Sequence, residues 1–150
     1  MKRNEHIVPL SKDHHFGLLC SWKIEQGLTK NVALERIATY VEYFWENHLS
    51  DHFNQEEEIL FPYSNETYNL QIKTEHKDLN VLVEKIMKHP EKALLEDFSH
   101  LLKKHIRFEE RDWFPFLQDN LKETDLELIG EKLKKIHTLS IDSYQDEFWK

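Results

Sequence analysis

A chain of 150 residues has the length of one ordinary domain with a single sizeable core, and it reads as one domain over 1–150, with a bundle core at about 10–120 and a C-terminal helix and tail at about 121–150. Its net charge of −8, with Lys and Arg interleaved among acids, excludes the clustered basic surface that a nucleic-acid backbone or an anionic membrane requires. The start leads into no apolar run of signal or spanning length, and the lone Cys20 suits a reducing compartment, so the expected location is the cytoplasm.

Only 3 Gly and 4 Pro interrupt a sequence rich in Leu, Glu, Lys and Phe, which favours helix throughout and an all-α fold. The first helix is predicted from about Lys12 to Gln26, with Ser11 as N-cap and Gly27 as the stop. The second follows Leu28–Asn31, carries Leu34, Ile37, Val41 and Phe44 on one stripe, and continues that stripe through His48, His52 and Glu56 to Ile59 before Pro62. The third is expected from about Leu70 to before Pro90, with Ile72, His76, Leu79, Val83 and Ile86 facing inward. The fourth runs from about Glu91 to Asn120 with Leu94, Phe98, Leu101, His105, Glu109 and Asp112 on one face. A fifth, capped by Thr124, reaches roughly to His137 on Leu126, Ile129, Leu133 and Ile136. Residues 140–150 have too little pattern to assign, although Phe148 and Trp149 suggest a docked tail. Short links make neighbours antiparallel, hence an up-down-up-down four-helix bundle with an additional C-terminal helix.

Ten His and nine Phe are the unusual entries in the composition. The segments His52–Pro62 and His105–Pro115 both read H-x-x-x-E-E-x-x-x-F-P. A shorter echo links the first and third helices, where Leu10-Ser11-Lys12-Asp13-His14 matches Ile72-Lys73-Thr74-Glu75-His76. The chain is thus two helical hairpins, each offering a histidine from its first helix and a histidine plus a glutamate from its second.

Residues four apart on a helix share a face, with Cβ atoms about 5–6 Å apart, so each His–Glu pair can reach one metal centre. Imidazole suits transition metals, and a carboxylate can bridge two ions while offsetting their charge. Four His and two Glu are appropriate for two metals and excessive for one tetrahedral zinc. The heights agree: His52 and His105 stand roughly 15 Å before their helix ends, beside the early turns that carry His14 and His76.

A single His on an apolar stripe is ordinarily a hydrogen-bonded core residue. Six such groups together are not, because burying them without a metal would cost several kcal/mol of desolvation. Phe61-Pro62 and Phe114-Pro115 read as helix terminators, Glu57 and Glu58 as a solvated face, and Trp22, Trp45 and Trp113 as core or bundle-end packing. His15 competes with His14 as the ligand of the first helix. His48, one turn before His52, is a seventh ligand or an outer hydrogen-bond donor, and its counterpart in the repeat is Leu101. His6, His89, His100 and His137 fall off the pattern as surface or packing residues.

At these residues, over about 10–118, the sequence resembles the hemerythrin-like family, also called HHE cation-binding domains. The resemblance implies a non-haem centre of two iron ions, oxo- or hydroxo-bridged, with His14, His52, Glu56, His76, His105 and Glu109 as ligands and the two glutamates as bridges. It implies a small diatomic, O2 or NO, or peroxide as the partner. Oxygen carriers of the family have a further histidine one turn before the third helix's ligand, where this chain has Ile72, and an aspartate on the fourth helix, where it has Glu109. That departure is similar to bacterial relatives associated with nitric-oxide stress, iron–sulfur repair or iron sensing. The expected function is therefore diatomic binding for sensing, stress defence or delivery, against the alternatives of a di-iron oxidase, peroxidase or cluster-repair enzyme, or a structural metal-bound interaction module. Ferritin-like enzymes are disfavoured because they place Glu before His.

Overall fold

The structure, a computed structural model, describes residues 2–138 and 143–150; the part of the unassigned tail at 139–142 lies outside the described residues. Every regular element among them is helical. Helix α1 spans Val8–Thr29. Helix α2 covers residues 34–60 as Leu34–Phe44, a wider π-turn at Trp45–Leu49, Ser50–Gln55 and a second π-turn at Glu56–Leu60, and it closes in the tight turn Phe61–Tyr63. Helix α3 is Glu66–Lys88. Helix α4 covers 92–120 as Lys92–Phe108, a π-turn at Glu109–Trp113 and Phe114–Asn120. Helix α5 is Glu123–Ile136.

Several boundaries differ from the sequence expectation, each for a local reason. Pro9 occupies the first turn of α1, where its missing N–H costs nothing, so the helix starts before Ser11 and Ser11 is not its cap. Gly27 does not end α1. The helix continues to Thr29, and Asn31 takes the left-handed conformation (φ 56°) that turns the chain. Gly27 instead allows close approach, because a Cβ there would lie 2.8 Å from the Phe148 ring. Asn65 caps α3 by accepting from the Tyr68 N–H at 2.8 Å, four residues earlier than hydrophobic periodicity suggests. Thr124 lies inside the first turn of α5 rather than capping it.

The helices pair antiparallel around the bundle. Gly17 meets Ile106 while Ser21 and Ser99 exchange hydroxyl-to-carbonyl hydrogen bonds at 3.1 and 3.2 Å, joining α1 to α4. Asn69 donates to the Phe61 carbonyl and His76 faces Glu57, joining α3 to α2. Two apolar cores fill the interior. One contains Ile24, Ile37, Phe44, Phe53, Leu79, Phe98 and Ile106, and the tail residues Phe148 and Trp149 dock into it. The other contains Ile7, Leu10, Ile72, Trp113, Phe114 and the buried stripe of α5. Trp22, read as core or bundle-end packing, belongs to neither core and is 47% exposed. Between the two cores lies a buried polar layer.

Candidate metal centre

The repeated motif is a repeat of backbone as well as of side chains. In both α2 and α4 a π-turn begins at the glutamate, Glu56 or Glu109, six positions before Pro62 or Pro115. Proline has no N–H to bond four residues back, and the wider turn before it takes in one extra residue. His52 and Glu56, or His105 and Glu109, therefore face inward, and the next buried side chains are Ile59 and Leu60, or Trp113. Asp112, expected on that face, is rotated into solvent for the same reason. Pro115 does not terminate α4, which resumes over Phe114–Asn120.

All six predicted residues are buried and lie in one layer. His14, His52, Glu56 and Glu109 bring one ligand atom each within 4.8 Å of one another, as do Glu56, His76, His105 and Glu109. Both glutamates belong to both groups. Glu109 approaches His14 Nε2 at 2.9 Å through Oε1 and His105 Nε2 at 3.0 Å through Oε2. Glu56 approaches His76 Nε2 at 3.1 Å through Oε1 and His52 Nε2 at 3.2 Å through Oε2. These are close approaches, yet Glu56 Oε2, both Glu109 oxygens and His105 Nε2 lack the angles of a hydrogen bond. Within the layer His76 Nε2 donates to Glu56 Oε1 at 3.1 Å and His52 Nε2 pairs with His14 Nε2 at 3.2 Å, while the buried polar atoms left without a bond carry a desolvation cost that a cation would offset. The donor set, imidazole nitrogen with carboxylate oxygen, suits iron among first-row metals.

Each imidazole is oriented from behind by another acid. His14 Nδ1 donates to Glu110 at 2.7 Å, His76 Nδ1 to Glu57 at 2.9 Å, His52 Nδ1 to Asp13 at 2.9 Å and His105 Nδ1 to Glu75 at 2.6 Å. These bonds place the Nδ1 proton outward and aim Nε2 at the layer, the arrangement that fixes a metal-ligating histidine. The pattern is two-fold. The acid before the histidine of α1 or α3 holds the histidine of α2 or α4, and the second glutamate of each Glu-Glu doublet holds the histidine of α1 or α3. Glu57 is thus a half-buried partner of His76 and not part of a solvated face. Sequence reasoning gave no role to Asp13, Glu75 or Glu110 and read Glu57 as solvated, although the doublets Asp-His, Glu-His and Glu-Glu are visible there. Ser11 supports Glu110 by donating to its carboxylate at 2.8 Å, and Arg3 approaches it at 3.3 Å.

The electrostatics follow. Burial disfavours the charged imidazole, but the Glu56 charge and the Asp13 bond hold His52 up at about 9. His76 and His105 are likewise held at about 9 against burial, chiefly by Glu109 with Glu56. His14 is raised well above its ordinary value by Glu109, Glu110 and Glu56. Burial pushes the carboxyls up, yet the imidazoles hold Glu109 well below its usual value and Glu56 below it, and the His137 and His52 bonds hold Asp13 at about 2. The acids thus raise the proton affinity of the imidazoles, so a cation entering the layer competes with protons for their nitrogens.

The two halves are not equivalent. A void of about 10 Å³ adjoins His14 and His52 and is bounded by Gly17, Phe44, His48, Leu49, Ile106 and one side of Phe53. That is room for about one water-sized molecule. The equivalent positions in the other half of the repeat are Leu79 for Gly17 and Phe53 for Ile106. Phe53 stacks on the His76 ring at 3.9 Å and meets His105 edge-on at 5.4 Å, filling the corresponding space.

His15 is exposed against Phe16, away from the layer. His48 lies outside both ligand groups, at the wall between the void and an open cavity of about 310 Å³, its ring against Tyr43 and Phe44. His137 is not a bystander, because its Nε2 donates to Asp13 at 2.8 Å.

Fold and layer together define a helical-bundle protein with buried His/Glu groups able to hold metal. The family model for the hemerythrin HHE cation-binding domain matches residues 14–117, and the chain belongs to that family. Neither the curated proteins nor the solved structures contain a significant match. Among the described residues no helix is long and apolar enough to cross a membrane.

Proposed function

We propose that this chain is a non-haem di-iron protein that binds a diatomic molecule, O2 or NO, for sensing, stress defence or delivery in the cytoplasm. His14 and His52 would hold one ion, His76 and His105 the other, with Glu56 and Glu109 available to both. The observation that carries this reading is the sharing of both buried glutamates by two four-residue groups. When bound, such ions supply open coordination positions and reversible redox change.

The chain's own residues do the rest. Asp13, Glu57, Glu75 and Glu110 keep each Nδ1 protonated and each Nε2 available. Gly17 and Ile106 leave the one-molecule void beside His14 and His52, which favours that half for the diatomic, while Phe53 excludes a guest from the other. The apolar cores on either side limit water at the layer. Among the described residues no nucleophile–base–oxyanion arrangement accompanies the site, which favours a binding role over an organic substrate.

Aerobic purification followed by iron analysis and visible absorbance tests this directly. Two iron ions per chain with oxo- or hydroxo-bridge charge-transfer bands are expected, and absence of iron refutes the reading. Stoichiometric, reversible binding of O2 or NO supports the binding role; steady consumption of O2, NO or peroxide would replace it with an oxidase, peroxidase or repair enzyme.

A further inference from the structure

Among the described residues, Asp13 is the one outer carboxylate of the four that serves two imidazoles. Its Oδ2 accepts from His52 Nδ1 at 2.9 Å and from His137 Nε2 at 2.8 Å. Glu75, its counterpart in the repeat, accepts from His105 alone. His137 ends α5, where its backbone N–H donates to the Leu133 carbonyl at 2.7 Å, and α5 is fixed to the bundle by Leu126, Ile129 and Leu133. The second imidazole therefore comes from a separately anchored element that lies outside the repeated hairpins. His137, Asp13, His48 and His52 also line the open cavity of about 310 Å³, so the Asp13–His52 bond stands at the edge of solvent.

We propose that His137 is a positioning residue for the His14–His52 half of the centre: it pins Asp13 in the rotamer that orients His52 and keeps water from competing for that carboxylate. The fifth helix is thereby tied to one metal position and not to the other. A carboxylate that is only 9% exposed, with its other oxygen lacking a hydrogen-bond partner, has few alternatives to this geometry. A second donor on the same oxygen also draws charge from it, so His52 is a slightly weaker electron donor than His105. This unequal support acts on the half that adjoins the void.

The inference rests on the reading of the layer as a metal centre, but its test can fail separately. In the full-length metal-free protein at pH 6.5, the exchange of the Nδ1 protons of His52 and His105 is followed by NMR with labelled histidine. His137→Ala is expected to speed His52 exchange at least about tenfold and leave His105 unchanged, whereas His137→Gln, whose amide can still donate to Asp13, restores protection. With Zn2+ as probe, the Ala variant should release one of two ions about tenfold faster and the other at the wild-type rate. Equal loosening of both halves, no change in either, or a Gln variant that behaves like Ala would overturn the proposal. If wild-type protein takes up no metal at all, the di-iron reading fails while proton exchange still decides the role of His137.

Discussion

The His14–His52 half and the His76–His105 half of the layer are built from the same motif, with matching histidines, shared glutamates and matching outer acids, and differ in what surrounds them. Gly17 and Ile106 leave space where Leu79 and Phe53 fill it, and His137 adds a second donor where Glu75 has none. The pair of halves shows how a repeated sequence yields an asymmetric site. The repeat sets which His and Glu side chains converge, whereas the space beside them is set by a few side chains that depart from it.

The strongest way to break both halves at once is at a shared carboxylate. Glu109→Ala removes a ligand from each group, and metal analysis should show both ions lost or reduced by more than about a hundredfold in affinity. Changing the outer acids separates the halves. Asp13→Asn should weaken one metal position by about 10–100-fold and Glu75→Gln the other, as read by competition with a chelator; loss of both ions from either variant would contradict the independence of the halves.

Ile106→Phe makes the open half resemble the closed one. Diatomic binding should fall at least about tenfold while both metals remain, with a destabilisation of about 1–3 kcal/mol from overpacking, seen in denaturant unfolding. Retained binding at wild-type affinity would remove the void from the proposed function.

The pH dependence does not separate the halves, because both share it. His52, His76 and His105 stand at about 9 in the folded metal-free chain against about 6.5 unfolded, so their stabilisation is complete below about pH 6.5 and is lost as pH rises through about 9. Asp13, held at about 2, contributes above its unfolded value near 4 and loses that contribution as pH falls through about 2. Metal-free protein should therefore melt highest between about pH 4.5 and 6.5, while metal uptake should strengthen toward pH 9 as the imidazoles lose protons. Thermal scans across this range, with and without metal, would show the two trends opposed.

The all-helical fold was legible because apolar residues recur at helical spacing over long stretches with few breakers, and His14, His52, Glu56, His76, His105 and Glu109 could be picked out because the motif occurs twice. The outer acids were harder to see. Asp13, Glu57, Glu75 and Glu110 are charged residues at positions that a single helix would leave in solvent, and only a neighbouring helix makes them partners of a buried imidazole. Asp112 was placed inward because the π-turn at Glu109–Trp113 is invisible to a fixed helical period. His137 lies 124 positions from Asp13, and no local pattern connects them.

By itself, then, the sequence determined the helices and the duplicated set of histidines and glutamates, since both are written in spacings of three, four and about fifty residues. Tertiary structure alone decided that the two glutamates are common to both groups, that one half has room for a small guest, and that the fifth helix reaches Asp13. Those features depend on distances between helices, which packing sets and periodicity along one chain does not encode.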